Sequence, residues 1–213
     1  GFDVAIAQYI ADDLGVELKV VDMSFDNLCI NLAKGDFDIV IAGMASTEER
    51  LKSVDFSDPY FKQQQAILIR AEDDALYNKP EDLSGHKVGV QNGTIQVPIA
   101  NELAGEENVV GLVKAQDLIM ELKSGNIEAL AVAYGNAEMI VDANPDLVIC
   151  TWEFDVKAEY SANVIMMQKG ETELLDAVNA ILAQAKEANL YDGWYKDAVE
   201  LGKSENAQEL TLN

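Results

Sequence analysis

The sequence predicts an α/β protein made of two similar lobes joined by two hinge strands. Three observations lead to this fold class. The 213 residues are enough for two lobes of about 100 residues each. Helical apolar periodicity alternates with short continuous apolar runs that are typical of buried strands. The stretch Leu32–Val40 also aligns with Leu122–Leu130, so one structural unit occurs twice in the chain.

The first lobe begins with an amphipathic helix, in which four apolar residues recur at every fourth position. These residues are Phe2, Ile6, Ile10 and Leu14. Glu17–Val21 is rich in β-branched residues and predicts a strand, and residues 25–32 carry a second helical face. Ile39–Ala42 is apolar throughout, as in a parallel strand buried on both faces. Strand, helix and strand together predict a right-handed βαβ unit.

The second lobe repeats the alternation of strands and helices. Its predicted strands are Lys87–Gln91, Glu128–Tyr134 and Leu147–Cys150, and its predicted helices are Ile95–Leu103 and Gln116–Lys123. Two apolar runs flank it and are expected to carry the chain between the lobes, Ala66–Arg70 and Ala162–Gln168. Two further helices, Glu173–Asn189 and Tyr191–Leu201, return to the first lobe. We therefore expect lobe 1 to comprise residues 1–65 and 168–213, and lobe 2 residues 66–167.

The composition excludes several classes of function. Fifteen Lys and Arg stand against 38 Asp and Glu, which gives a formal charge of −23. Nucleic acids and anionic membranes attract clustered cations, so neither is an expected partner. Cys29 and Cys150 lack metal-ligand spacing and His86 is the only histidine, so we expect two buried thiols and neither a metal nor another cofactor. No nucleophile lies at a recognisable spacing from that histidine, and we predict no catalytic residues.

Ligands of open α/β lobes bind outside the carboxyl ends of the strands, so the residues that follow the strands are the candidate site. After Ile39–Ala42 come the exposed backbone groups of Gly43, Met44 and Ala45, and then Arg50. A guanidinium group forms two parallel hydrogen bonds with a carboxylate, so Arg50 is the best candidate to hold a small acid. The alternative is that Arg50 only pairs with a surface carboxylate such as Glu49 or Asp55.

The second strand exit is a glycine turn that opens a helix. Gln91 is followed by Gly93, Thr94 and Ile95, where the first N–H groups of the helix are unpaired and carry the positive end of its dipole. These groups can complete a carboxylate site with Arg50, although the same turn is common without a ligand. The third exit lies at Ala133 and Tyr134. Phe25 can cover a ligand from the first lobe or can be a core residue of its helix, and Tyr134 leaves the same choice open.

Several segments resemble the family 3 extracellular solute-binding proteins, the amino-acid-binding subunits of ABC importers. They are Gly1–Val4, Gly35–Met44, Thr47–Arg50, Val54–Tyr60, Val88–Thr94 and Leu190–Tyr195. The resemblance spans nearly the whole chain. It implies a two-lobed fold, the type II periplasmic-binding-protein fold, that closes around its ligand. It also implies an extracytoplasmic location, in the periplasm or lipid-anchored to the outer face of the cell membrane.

The resemblance also assigns roles to residues of the candidate site. The family's carboxylate-binding arginine falls on Arg50, and the amides that share this carboxylate fall on Thr94 and Ile95. Phe25 falls on the position that stacks on the ligand side chain. The Gly43 carbonyl matches the first-lobe acceptor for the α-ammonium group. Gln91 matches a position that often contacts the ligand side chain.

Three features of the sequence, two residues and one segment, depart from the family pattern. The family has Ser or Thr where this chain has Ala45. The family's aspartate, the counter-charge for the α-ammonium group, falls on Ala133. A buried ammonium without its carboxylate would be destabilised by several kcal/mol, so a ligand without an amine becomes credible. The family's first strand, which precedes the Gly-Phe-Asp motif, is missing from this sequence.

We therefore predict a monomeric, non-enzymatic binding protein for an amino acid or related small carboxylate, which it presents to an ABC permease. One alternative is a 2-oxo or aromatic acid as the ligand in the same role. A second is an enzyme similar to cyclohexadienyl dehydratase, which shares the two-lobed fold. A sensor or receptor lobe is the third.

Overall fold

The computed structural model describes residues 1–203, which fall into two compact units. Unit 1 comprises Gly1–Met23, Asn27–Phe61 and the chain from Ala162 onward, and unit 2 comprises Ser24–Asp26 and Lys62–Ser161. The units therefore change over at residues 61–62 and 161–162, whereas the sequence placed the lobe boundaries at 65–66 and 167–168. The last ten residues of predicted lobe 1, 204–213, lie outside the described residues.

Unit 1 contains five helices and a small sheet within the described residues. The helices are α1 (Phe2–Leu14), α2 (Leu28–Lys34), α3 (Glu48–Leu51), α7 (Thr172–Glu187) and α8 (Leu190–Lys203), and the strands are β1 (Ile39–Val40), β2 (Val54–Phe56) and β10 (Met166–Gln168). The predicted helix over residues 2–14 is confirmed. It ends at Gly15, whose φ of +67° places it in the left-handed region that favours glycine.

The sheet of unit 1 has the order β1-β10-β2, and both of its pairs are antiparallel. Ile6 and Ile10 of α1 pack with Met167 of β10 and with Val178 and Ile181 of α7 in the core. Tyr191 and Trp194 of α8 close the same cluster.

Two strand predictions for unit 1 are wrong. Glu17–Val21 forms no strand, and Val16, Val20 and Val21 are 49–64% exposed, because this segment pairs with no other strand in residues 1–203. The predicted strand Ile39–Ala42 is reduced to β1 and is antiparallel. A parallel pair needs a second strand running in the same direction, and within residues 1–203 β1 pairs only with β10, which runs the other way.

An ion pair ties β2 to the end of β10. The Asp55 carboxylate accepts a hydrogen bond from Gly170 N–H at 2.8 Å and lies 2.8 Å from Lys169 Nζ. These two donors, the Gly170 N–H first, lower the pKa of Asp55 below its ordinary value of 3.8.

Unit 2 is a five-stranded sheet covered by helices on both faces. Its strands are β4 (Gln65–Arg70), β5 (Val88–Gln91), β6 (Val109–Leu112), β7 (Ala129–Ala133) and β8 (Leu147–Ile149), and its helices are α4 (Gln96–Ala104), α5 (Ala115–Lys123) and α6 (Tyr134–Ala143). The order is β6-β5-β7-β4-β8. Strand β5 is parallel to β6 and β7, whereas β4 is antiparallel to β7 and β8.

Strand β4 supplies both cores of unit 2. Ile67 and Ile69 face the core that contains α4, and Ala66 and Leu68 face the core that contains α5 and α6. The sequence placed this apolar run at a crossing between lobes. In the structure it lies inside the sheet of unit 2, because β4 pairs with β7 on one side and β8 on the other, and all four side chains are buried. Strands β3 (Phe61–Lys62) and β9 (Ala162–Asn163), which pair with each other, lie where the chain passes from one unit to the other.

Candidate functional site

The first group of predicted site residues forms one loop of unit 1, directly after β1. Gly43 has a φ of +57°, and its N–H donates a hydrogen bond to Asp3 Oδ2 at 2.8 Å. The Met44 carbonyl accepts a hydrogen bond from Val164 N–H at 2.9 Å. Met44 and Ala45 are both 2% exposed. The loop is thus fixed by contacts with residues distant in sequence.

Arg50 is anchored to the same loop. Its Nη1 donates a hydrogen bond to the Ala45 carbonyl at 2.7 Å, and its backbone N–H donates to Thr47 Oγ1 at 3.2 Å, which caps α3. Arg50 as a whole residue is half-buried. Of its two predicted alternative partners, Asp55 is hydrogen-bonded to Lys169 and to Gly170 N–H. The Ala45 carbonyl thus fixes the position of one guanidinium nitrogen of Arg50 beside the Gly43–Ala45 loop.

The second group is the turn between β5 and α4 in unit 2. Thr94 Oγ1 donates a hydrogen bond to the Gln91 carbonyl at 2.7 Å, and Gly93 has a φ of +76°. Helix α4 begins at Gln96, one residue after the predicted start, and no side chain caps it. The threonine hydroxyl therefore closes the turn, and the first turn of α4 carries the positive end of a helix dipole.

Gln91 lies at the end of β5, but its side chain is engaged inside unit 2. Its Nε2 donates a hydrogen bond to the Val113 carbonyl at 3.0 Å. The role of Gln91 in contacting a ligand side chain stays a prediction.

Phe25 belongs to unit 2 in the structure, not to the first-lobe residues that surround it in sequence. The segment Ser24–Asp26 packs against the Gly93 turn: a Cβ atom placed on Gly93 would lie 2.9 Å from Asp26 Cα. Only glycine permits this approach, because 2.9 Å is shorter than a normal carbon–carbon contact. The structure thus brings the half-buried Phe25 next to the turn that contains Thr94 and Ile95.

The third predicted exit follows β7, the parallel neighbour of β5. Ala133 ends β7 opposite Gln65 of β4, and Tyr134 begins α6, with its N–H donating to the Gln64 carbonyl at 2.8 Å. Tyr134 is 38% exposed and borders a cavity of about 440 Å³. The cavity is also lined by Gln63–Ala66, residues 149–154, Val156 and Ser161. The carboxyl ends of β5 and β7 lie at the same edge of the sheet, so the second and third groups share it.

Sequence reasoning missed several polar residues at these sites. Gln65 is 9% exposed and accepts a hydrogen bond from Gln96 Nε2 at 2.5 Å, while its own Nε2 has no partner in residues 1–203. Asn163 is 7% exposed, with its Nδ2 3.8 Å from the position of a Cβ on Gly43. Asp3 binds the Gly43 N–H. Two sequence features could have indicated these residues. One is the run of three glutamines, Gln63–Gln65, before the apolar residues of β4, and the other is Asn163 between apolar neighbours.

Comparison with known proteins identifies the family. Residues 1–198 match the family model for bacterial extracellular solute-binding proteins, family 3. The chain belongs to this family. As a family 3 solute-binding protein it has the two-lobed α/β fold that the sequence predicted. Within residues 1–203, none of its helices combines the length and the apolar composition required to span a membrane.

This solute-binding protein is similar to relatives named for amino acids. The arginine-binding extracellular protein ArtP of Bacillus subtilis strain 168 is 34% identical over 189 residues, which cover 88% of this chain and 72% of ArtP. The crystal structure of the amino acid ABC transporter substrate-binding protein AbpA from Streptococcus pneumoniae, bound to L-arginine, has a TM-score of 0.91 and 35% identity, covering 96% of this chain and 86% of that one. An ancestral arginine-binding protein bound to glutamine has a TM-score of 0.84 and 37% identity, covering 92% and 86%.

Proposed function

We propose that this protein binds an amino acid, L-arginine in the first place, and delivers it to the permease of an ABC importer. The observation that carries the proposal is the loop Gly43–Ala45 with the half-buried Arg50, whose guanidinium Nη1 is fixed by the Ala45 carbonyl at 2.7 Å. A fixed guanidinium group on an acidic protein of formal charge −23 is a selective site for a ligand carboxylate.

The α-carboxylate of the ligand is bound by Arg50 and by backbone N–H groups at the start of α4. The uncapped first turn of α4 supports the second role, because a helix N-terminus favours a negative charge. Phe25 and Tyr134 offer aromatic faces, on which a guanidinium side chain stacks favourably. The Gly43 carbonyl accepts a hydrogen bond from the α-ammonium group. The ligand stabilises whichever form of the protein binds it more tightly, by the difference in its affinity for the two forms.

The similarity to ArtP and to AbpA with L-arginine bound supports arginine over other amino acids. The ancestral arginine-binding protein with glutamine bound makes glutamine the first alternative. The protein acts by binding alone, as a monomer without a cofactor. It is located outside the cytoplasm, either free in a periplasm or attached by a lipid to the outer face of the membrane.

A second candidate ligand lacks the α-ammonium group. The observation that favours it is Ala133, the last residue of β7. The resemblance places the family's aspartate at this position, and an alanine has no carboxylate to bind the ammonium group. A thermal-shift comparison of amino acids with their 2-oxo and hydroxy counterparts distinguishes the two, because a bound ligand raises the melting temperature. A response confined to compounds with the amine would remove this candidate.

Titration calorimetry with L-arginine tests the main proposal. We expect Arg50→Ala to weaken binding by about 2 to 5 kcal/mol, or roughly 30-fold to several thousand-fold, because a buried carboxylate loses its partner. Lys52→Ala, which removes an exposed cation close by in sequence, is the matched control and is expected to bind as the wild type does. If Arg50→Ala keeps its affinity, or if the wild type binds no amino acid, the proposal is wrong.

A further inference from the structure

The carboxylate of Asp3 holds two groups of unit 1 that are far apart in sequence. Asp3 lies in the first turn of α1 and is half-buried. Its Oδ2 accepts a hydrogen bond from Gly43 N–H at 2.8 Å, and its Oδ1 accepts one from the Tyr60 hydroxyl at 2.9 Å. Burial raises the pKa of Asp3, while these two hydrogen bonds lower it in part. Both oxygens of the Asp3 carboxylate thus accept a hydrogen bond, which partly offsets the free-energy cost of burying it.

Tyr60 is itself fixed. Its ring is 6% exposed in the core of unit 1, and its backbone N–H donates to the Asn163 carbonyl at 3.0 Å. Asp3 is therefore clamped between a rigid core side chain and the backbone of the Gly43 loop. Through these two hydrogen bonds, the buried Tyr60 and the Asp3 carboxylate fix the orientation of the Gly43 peptide group.

The contact with Asp3 sets the orientation of Gly43. The glycine has a φ of +57°, and no other residue in the described chain accepts its N–H. The next carbonyls, those of Met44 and Ala45, accept hydrogen bonds from Val164 N–H and from Arg50. Within residues 1–203 the Gly43 carbonyl accepts none. The loop thus has three fixed backbone groups and one carbonyl left as an acceptor.

We propose that Asp3 is a positioning residue, which holds the Gly43 loop so that the Gly43 carbonyl accepts a hydrogen bond from the α-ammonium group of the ligand. This inference rests on the proposed function, since it takes an amino acid as the ligand. Asp3 does not touch the ligand. It acts through the Gly43 N–H, so its removal affects ligands with the ammonium group more than ligands without it.

The experiment compares two probes in titration calorimetry, L-arginine and 5-guanidinopentanoate, which is the same molecule without the amine. Asp3→Ala is expected to weaken L-arginine about tenfold or more, which corresponds to about 1.4 kcal/mol, and to leave the affinity for 5-guanidinopentanoate within about twofold. Asp3→Asn keeps one oxygen to accept the Gly43 N–H, and its side-chain amide N–H can donate to the Tyr60 hydroxyl oxygen, so it is expected to bind both probes nearly as the wild type does. Asp13→Asn, an exposed acid on the same helix, is the control for charge.

Amide hydrogen exchange of Gly43 in the protein without ligand tests the contact itself. Asp3→Ala is expected to exchange the Gly43 amide at least about tenfold faster, and Asp3→Asn to exchange it as slowly as the wild type does. An unchanged rate in Asp3→Ala overturns the inference. So does an equal loss of affinity for both probes, or an Asn variant as weak as the Ala variant. A wild type that binds neither L-arginine nor any other amino acid overturns the proposed function instead, and the exchange result then stands apart from it.

Discussion

Arg50 is proposed to bind the ligand, whereas Arg70 is predicted to stabilise unit 2. Its Nη1 donates to the carbonyls of Leu122 and Ile127 at 2.7 and 2.8 Å, and its Nη2 lies 2.6 Å from Asp73 Oδ2. The two side chains of the ion pair are 16% and 18% exposed. Arg70 thereby joins the end of β4 to the end of α5 and to the turn before β7.

The substitution Arg70→Met keeps the apolar stem and removes all three interactions. Each hydrogen bond to a charged donor contributes about 1.5–3 kcal/mol, and breaking a buried ion pair costs about 3–5 kcal/mol. These contributions overlap, because they leave the same carbonyls and carboxylate unpaired. We therefore expect the free energy of unfolding of unit 2 to fall by about 3–5 kcal/mol in total.

Tryptophan fluorescence during urea unfolding measures the effect separately in each unit. Trp152 lies in unit 2, where its indole N–H donates to the Tyr77 carbonyl at 3.0 Å, and Trp194 lies in unit 1 against Tyr9. In a Trp194→Phe background the only reporter is Trp152, and its transition is expected to shift by about 1–3 M urea. Lys79→Met, which removes an exposed cation from the same unit, is the matched control. A decrease below about 1 kcal/mol at Trp152 would refute this reasoning.

Three further predictions concern a turn, a buried hydroxyl and a carboxylate. Gly93→Ala is expected to lower the free energy of unfolding by about 1–2 kcal/mol from the left-handed φ alone, and to displace Asp26, whose Cα lies 2.9 Å from the new Cβ. Differential scanning calorimetry measures this loss, and an unchanged melting temperature contradicts the prediction. Ser57→Ala removes the hydroxyl that accepts the Ile165 N–H at 2.9 Å, so we expect a loss of about 1–3 kcal/mol in urea unfolding, with Ser53→Ala on the surface as the control. Asp55 has a lowered pKa, so its contribution to stability is present above pH 3.8 and is lost as the pH falls below that value. In Asp55→Asn the free energy of unfolding is therefore expected to fall less steeply with pH below this value. Urea unfolding at several acidic pH values measures the slope, and an equal slope in both proteins would argue against the prediction.

The elements defined by local patterns were predictable from the sequence. The four-residue spacing of apolar side chains in α1, and the glycine turn between β5 and α4, depend only on neighbouring residues. The fold class was predictable for the same reason, because alternating strands and helices determine how the layers pack. Strand β6 and helix α6 were missed, since Val109–Leu112 is short and contains a glycine, and Tyr134–Ala143 directly follows a strand without a turn between them.

Pairing between distant segments was not predictable in this way. The valines of residues 16–21 have strand propensity, but propensity forms a strand only where a neighbour supplies hydrogen bonds. The candidate site divides along the same line. The loop Gly43–Ala45 and the Thr94 turn could be proposed from the sequence because each follows an apolar run that predicts a strand. Asp3 and Asn163 reach the loop from elsewhere in the chain, and local sequence does not encode that contact.

The connectivity of unit 1 affects the order in which the molecule can fold. Apart from Ser24–Asp26, unit 2 is one continuous stretch, so its sheet can form as soon as Ser161 has been synthesised. In the described part of unit 1, β1 and β2 pair only with β10, which is synthesised more than a hundred residues later. Until Met166–Gln168 emerges, both early strands expose unpaired edges. A nascent chain of this length can therefore contain a complete unit 2 sheet while β1 and β2 of unit 1 still lack their partner strand.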